Sequence, residues 1–440
     1  MKKLIKPITV FIGLTFLAGK ATAVVADESC DNPSLNDHIQ LVRHALLCNG
    51  EQQALDAKWQ AQTHHANSVG YLDDPKLMLG MAPKTLDNNE FDDGFIVELS
   101  QPLPWPGVLE LRKQAANDAA DALKSKSYLG QIHLAKQIRL AFAQWQYHRR
   151  LLEINSKHQA LWHEFLAIVR AKYASGTGTK SAILQATHEH HVLKQEAIEL
   201  SARIERAISE LRRLGNFSAE SKIVIDELPL TQFTSAQLET SLSGLNLQPS
   251  IQAIESQRHQ KNKQLLLAEK DRYPSFNAFA RYNSLWMNNE QQWVVGVGFN
   301  LPFDFGKRTS REDKIKAEQL ALRWQQQDTL SLLRETLIQS FSHWQESIDV
   351  YQLYQNDLLP LAEENMATAR DEYRSGNGDF LGFLTAQRQL LTTEKKSDQA
   401  LRDQFAYHAQ LLAAAGLVYP NEINAINGAI KNSVQENTHD

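Results

Sequence analysis

Two patterns of apolar and polar positions alternate along the chain, and each occurs twice. After Gly107, and again after Gly306, about 68 residues run almost free of Gly and Pro to Ser175 and Ser375. Apolar side chains recur within them at helical spacing, Ile138, Phe142 and Trp145 in the first run, Leu337, Phe341, Trp344, Ile348 and Tyr351 in the second. As single helices these runs would each reach ~100 Å. Each stops at a Ser-Gly-x-Gly, after which the pattern predicts a return helix, over 181–214 and 380–415.

The second pattern has period two. Segments 77–81 and 95–99, and later 276–282 and 293–301, alternate as strands do. In the last of them Trp293, Val295, Val297 and Phe299 share one face, with Val294, Gly296, Gly298 and Asn300 on the other. Phe95, Val97 and Leu99 form the corresponding apolar row of the first copy. One face suits lipid and the other a lumen or a close neighbour. A helix is expected ahead of each strand pair, stopping at Asp74-Pro75 and at Tyr273-Pro274.

These repetitions are one duplication with a separation of about 200 residues. Tyr173-Ala174-Ser175-Gly176-Thr177-Gly178 returns as Tyr373-Arg374-Ser375-Gly376-Asn377-Gly378, and Trp145-Gln146 as Trp344-Gln345. Leu103-Pro104-Trp105-Pro106-Gly107 returns as Leu301-Pro302-Phe303-Asp304-Phe305-Gly306. The expected organisation is a first repeat over 27–215 (strands 77–101, helical hairpin 108–214), an equatorial linker over 216–247, a second repeat over 248–417 (strands 276–301, hairpin 307–416) and a disordered tail over 418–440.

The N-terminus changes the compartment. Basic residues at 2, 3 and 6, an apolar stretch over 8–18 and Ala21-Thr22-Ala23 read as a secretory leader over 1–23, with cleavage after Ala26 the alternative. Loss of its lysines takes the 46 basic residues to about 42 against 51 acidic ones, so nucleic acid is not an expected partner. In an oxidising compartment the two cysteines, Cys30 and Cys48, form a candidate disulfide, with free thiols the alternative. No stretch of the mature chain holds the ~18 consecutive apolar residues of a spanning helix, so membrane insertion would be by strands.

Four strands cannot close a membrane barrel, since the smallest have ~8 and every unpaired edge group costs several kcal/mol in hydrocarbon. Copies of the chain would have to pool strands, with the long helices side by side as a hollow cylinder beneath.

The duplicated helix, strand pair and hairpin, the Pro/Gly lead-ins at 103–107 and 301–306 and the Tyr-x-x-Gly turns at 173–176 and 373–376 together resemble the TolC-like outer-membrane efflux factors, over about 35–417. The resemblance implies a mainly α chain with a small β part, and a homotrimer whose twelve-stranded β-barrel is continued by an α-helical barrel. It implies an outer-membrane location with a large periplasmic portion, contact with outer-membrane lipid, and partnership with a periplasmic adaptor and an inner-membrane pump. Gln101-Pro102-Leu103-Pro104-Trp105-Pro106-Gly107 looks most like the branch serving heavy-metal pumps of the RND type.

The turns of relatives form the periplasmic gate and the adaptor docking tip, which here would comprise Tyr173, Gly176, Gly178, Tyr373, Arg374, Gly376, Gly378 and Asp379. Gly382 and Thr385 occupy the places where some members carry gate aspartates, leaving Asp371, Glu372 or Asp379 to supply an acidic ring. Both tyrosines read either as latches or as helix-end packing, and the four glycines as residues of positive φ.

His188, His190 and His191 invite a metal reading, but no Cys or carboxylate set completes a site and a solvated helix face is the default. No nucleophile with its base and no phosphate-binding loop stands out, so the expectation is a passive conduit without cofactor. The rival channel readings are drug or organic-solute efflux and type I secretion. The rivals from other classes are a soluble periplasmic coiled-coil adaptor and a metal-binding protein.

Overall fold

Gly107 and Gly306, with φ of 84° and 92°, each turn the chain out of the sheet into a long helix. The computed structural model describes residues 30, 34–35, 37–82, 94–218, 221–223, 228–284, 292–303 and 306–422. The leader expected over 1–26 lies outside them.

The first repeat comprises β1 (Ser34–Leu35), α1 (His38–Cys48), α2 (Gly50–Ser68), β2 (Lys76–Ala82), β3 (Gly94–Leu103), α3 (Val108–Ala174) and α4 (Lys180–Gly215). A connecting stretch holds β4 (Lys222–Ile223) and α5 (Ser235–Ser243). The second repeat comprises α6 (Pro249–Lys270), β5 (Phe276–Asn283), β6 (Trp293–Phe299), α7 (Lys307–Leu353), α8 (Leu359–Ser375) and α9 (Phe380–Ala414).

Strands β2, β3, β5 and β6 form one antiparallel sheet in that order. The two hairpins join through β3 and β5, so each repeat supplies half of the sheet. At ~3.4 Å per residue, seven to ten residues reach ~24–34 Å, enough to cross a tilted apolar band of ~25 Å. The helices run away from the sheet, α3 for 67 residues.

Among the described residues, three buried clusters hold the helices together. One, midway along α3, gathers Leu41, Ile138, Phe142, Trp145, Leu211 and Phe405. A second, where α7 and α9 meet the connecting stretch, gathers Phe233, Leu337, Trp344, Leu411 and Leu412. The third lies at the far end, around Trp162, Phe165, Met366, Tyr373 and Phe383. The parallel pair β1–β4 adds a belt beside the first cluster.

Three expectations need correction. The first lead-in helix ends at Ser68, well before Pro75, and is broken at Asn49, whose side chain accepts from the Gln52 amide and caps α2. The second long run is not uniform: residues Tyr354–Leu358 form a π turn, placed where Pro360 cannot supply an amide hydrogen to an α-helical ladder. The segment after 417 is ordered as far as Glu422. Val418 is buried, its carbonyl accepts from the buried Arg139 guanidinium at 2.7 Å, and its amide donates to Glu422 at 2.8 Å. Residues 423–440 lie outside the described set. The connecting stretch, expected as a linker over 216–247, carries a helix of its own, α5, begun by a reciprocal capping box between Thr234 and Gln237.

Candidate functional site

The register of the sheet collects one kind of side chain on one face. Leu77, Leu79 and Met81 of β2 lie opposite Leu99, Val97 and Phe95 of β3. Val97 and Leu99 lie opposite Tyr282 and Ala280 of β5, and Tyr282, Ala280, Ala278 and Phe276 lie opposite Trp293, Val295, Val297 and Phe299 of β6. Apart from Gln101 of β3, opposite Ala278, these rows are apolar or aromatic, and on the outer strands they are bare: Met81 is 86% and Val295 83% exposed. An apolar surface of this extent on an isolated chain marks contact with a membrane or a partner.

The other face is different. Glu98 and Arg281 are opposed in the register and ion-paired at 2.5 Å, with Ser100 and Asn277 nearby along the same rows. Phe279 lies over Gly296, where a Cβ would come within 2.7 Å of the ring, so the glycine is what lets the ring lie against the sheet. Lys76–Ala82 and Trp293–Phe299 are the sheet's outer strands, each with one unpaired edge among the described residues.

At the opposite end of the molecule the two Ser-Gly-x-Gly turns close the hairpins. Gly176 and Gly376 adopt φ of 78° and 87°, and the amides of Thr177 and Asn377 donate to the carbonyls of Lys172 and Glu372 at 2.9 and 3.0 Å. Gly178 and Gly378 have a different reason from the positive φ expected of them. A Cβ there would lie 2.9 Å from the Tyr173 amide nitrogen and 2.9 Å from Glu372 Cβ respectively, so it is close approach that demands glycine. Thr179 caps α4, and the Asp379 carboxylate accepts from the Gly382 amide at 2.7 Å to cap α9. Asp379 is thus engaged in ending the turn, and exposed Asp371 and Glu372 stand beside it.

The paired tyrosines are not equivalent. Tyr373 is 6% exposed, its ring 5.1 Å from Phe165 and 6.2 Å from Phe380, with the Lys172 ammonium 5.1 Å away. Burial pushes its phenol pKa up. Tyr173 is 48% exposed and belongs to no buried cluster. Of the two, Tyr373 builds the tip and Tyr173 is presented by it; Arg374, Gly176 and Gly376 are likewise exposed.

Behind the tip, charged pairs link α4 to α9. Arg388 pairs with Glu189, and Lys395 with Glu196 at 2.5 Å. Each pair spans 199 residues, one short of the 200 that separate the two Tyr-x-x-Gly turns, so nearly corresponding positions of the two return helices face one another. Next to them His158, 1% exposed on α3, sits between Glu394 (2.5 Å) and Gln387 (2.7 Å). None of these polar links was visible in the sequence, because each depends on which helices become neighbours.

His188 and His191 lie on α4 with His190 between them, His190 and His191 having ring centroids 6.1 Å apart. Desolvation, followed by the charge of Lys194, lowers the pKa of His190. Among the described residues no group of three or more His, Cys, Asp or Glu is placed to hold a metal ion. Cys30 and Cys48 are joined in a disulfide with Cα atoms 5.7 Å apart, tying the residue ahead of β1 to the end of α1.

Together, a duplicated helix, strand pair and hairpin, a four-stranded sheet with a bare apolar face, and helices of ~100 Å define the fold of an outer-membrane channel protomer. Solved channels share it. The chain aligns with CusC (TM-score 0.76, 17% identity, covering 87% of this chain and 93% of CusC), with Campylobacter jejuni CmeC (0.74, 14%, 94% and 94%) and with the open state of Neisseria gonorrhoeae MtrE (0.73, 16%, 95% and 98%). In sequence, residues 243–417, within and just ahead of the second repeat, match the outer membrane efflux protein family. No curated protein matches the chain in sequence.

Proposed function

We propose that the chain is one subunit of an outer-membrane efflux channel, in which copies pool their four-stranded sheets into a closed β-barrel and their helices into a tunnel across the periplasm. The observation that carries this reading is the apolar sheet face between two open edges. In water it would be an aggregation site; in hydrocarbon with its edges paired to sister copies it is satisfied on every side. Three copies give the twelve strands of the related fold, with Glu98 and Arg281 turned toward the lumen.

The tip with Tyr173 and the Ser-Gly-x-Gly turns then lies deepest in the periplasm, where a periplasmic adaptor and an inner-membrane pump, of the RND type, would engage it. Conduction is passive and energy comes from the pump. The finer reading, efflux of heavy-metal cations, rests on the Gln101 to Gly107 segment alone, and disruption of the gene followed by growth on metal salts and on organic toxicants separates it from drug efflux.

The reading is tested by fractionating cells and by inserting the purified protein into planar bilayers. Recovery in the outer membrane with discrete conductance steps is expected. Recovery only as soluble, unaggregated periplasmic protein would favour the coiled-coil adaptor instead.

A further inference from the structure

Where the sheet meets the helices, a cavity of about 260 Å³ opens between the start of α3, the end of α6 and the start of α7. Its wall is strongly basic. Arg112, Lys270, Lys307, Arg308 and Arg311 line it, and the single carboxylate among the lining residues is Asp271. That carboxylate is already bound to Arg311 at 2.6 Å, while Arg308 donates to the backbone carbonyls of Asp271 and Phe303, both at 2.8 Å. Arg112, Lys270 and Lys307 pair with no carboxylate among the described residues. So many cations around one small space repel one another by ~1 kcal/mol per close pair even in water, a cost that a bound anion removes.

The surroundings say what kind of anion. Trp105 and Tyr273 line the same cavity and stack on each other, centroids 4.7 Å apart with rings 14° from parallel. Trp105 also stacks on Phe276 at 5.9 Å, and Phe276 belongs to the apolar face of the sheet, paired with Phe299. The cavity therefore opens at the helix-side rim of the surface assigned to lipid, at headgroup depth, where Trp and Tyr settle. The starts of α3 and α7, neither with a side-chain cap, add their positive dipole ends.

We infer that this cavity binds the phosphate-bearing headgroup of an anionic phospholipid in the periplasm-facing leaflet. The acyl chains run up the Phe276–Phe299 face, and the phosphate meets Arg112 and Lys307. A freely diffusing phosphate would use the same cations but not the aromatic rim that continues into the apolar face. The inference rests on the membrane placement proposed above.

The test compares lipid retention. The purified channel is placed in nanodiscs of phosphatidylcholine alone or mixed with phosphatidylglycerol, passed through mild detergent, and its bound lipid is measured by native mass spectrometry. Wild type is expected to keep phosphatidylglycerol over phosphatidylcholine. The double variant Arg112→Gln/Lys307→Gln is expected to lose that preference by about tenfold or more, since each cation near a membrane surface contributes about as much as a factor of five. Its oligomeric state and bilayer conductance should match wild type, which separates lost binding from failed folding. Equal retention of the two lipids by wild type, or undiminished preference in the variant, would overturn the inference. So would displacement of phosphatidylglycerol by millimolar inorganic phosphate, which would make the cavity a small-anion site. Wild type absent from the outer membrane would instead overturn the functional reading.

Discussion

Glu98 and Arg281, 183 residues apart in sequence, are ion-paired at 2.5 Å across the β3–β5 junction, the only place where the two halves of the described sheet are stitched together. The pair stands on the face opposite the apolar one, which is what orients the sheet. Glu98→Ala is expected to lower stability by about 1 kcal/mol, the scale of a cross-strand charge pair. The exchange Glu98→Arg/Arg281→Glu should recover most of it. Thermal unfolding of the detergent-solubilised protein checks both.

The apolar face predicts an asymmetry between residues on the two faces of the sheet, Val295 of β6 on one and Ser100 of β3 on the other. Val295→Arg should cost about 2–4 kcal/mol at mid-membrane depth and remove the protein from the outer membrane. Ser100→Arg, on the face of Glu98, should leave membrane recovery intact and alter ion selectivity. Outer-membrane yield and reversal potential are the measurements.

At the tip, Tyr373→Ala removes a ring buried against Phe165, Phe380 and Phe383 and should cost about 3 kcal/mol or more, as large core truncations do. Tyr173→Ala should cost less than about 0.5 kcal/mol, because the side chain is largely in water. Gly376→Ala forces a Cβ into left-handed backbone and should cost about 1–2 kcal/mol. Unfolding midpoints distinguish the three, and adaptor cross-linking of Tyr173→Ala tests docking separately from stability.

Acid should weaken the helical portion through His408. Burial, followed by the nearby Arg139 charge, pushes its pKa from the usual 6.5 to about 4. The unfolded chain therefore takes up this proton before the folded one does. Stability is complete above about pH 6.5 and falls as pH drops toward about 4, by about 2 kcal/mol at pH 5. His44 and His148 are also lowered by burial and add in the same direction. Unfolding compared at pH 7.5 and 5 should show the loss, and His408→Gln should remove part of it.

The architecture was readable because helix and strand periods are local and the duplication displays each twice. The strands at 276–282 and 293–301 lie within two residues of Phe276–Asn283 and Trp293–Phe299. The inequality of Tyr173 and Tyr373 was harder to see, though its cause is written in the sequence. Phe380 and Phe383 receive Tyr373, while the corresponding first-copy positions are Lys180 and Ile183, which build no aromatic nest. The α4–α9 charge pairs and the basic cavity beside Trp105 were not readable. They join residues from separate helices, and nothing in one helix specifies its neighbour. The Asn49 break hid because Asn is common inside polar helices and acts as a cap only when the backbone extends there.

The central claim is that the open edges of β2 and β6 are completed by sister copies. Native mass spectrometry of the detergent-extracted protein addresses this most directly. A complex of three chains that survives dilution and retains conductance on reinsertion is expected. A stable single chain, with the sheet edges protected from hydrogen exchange and no pore activity, would contradict it.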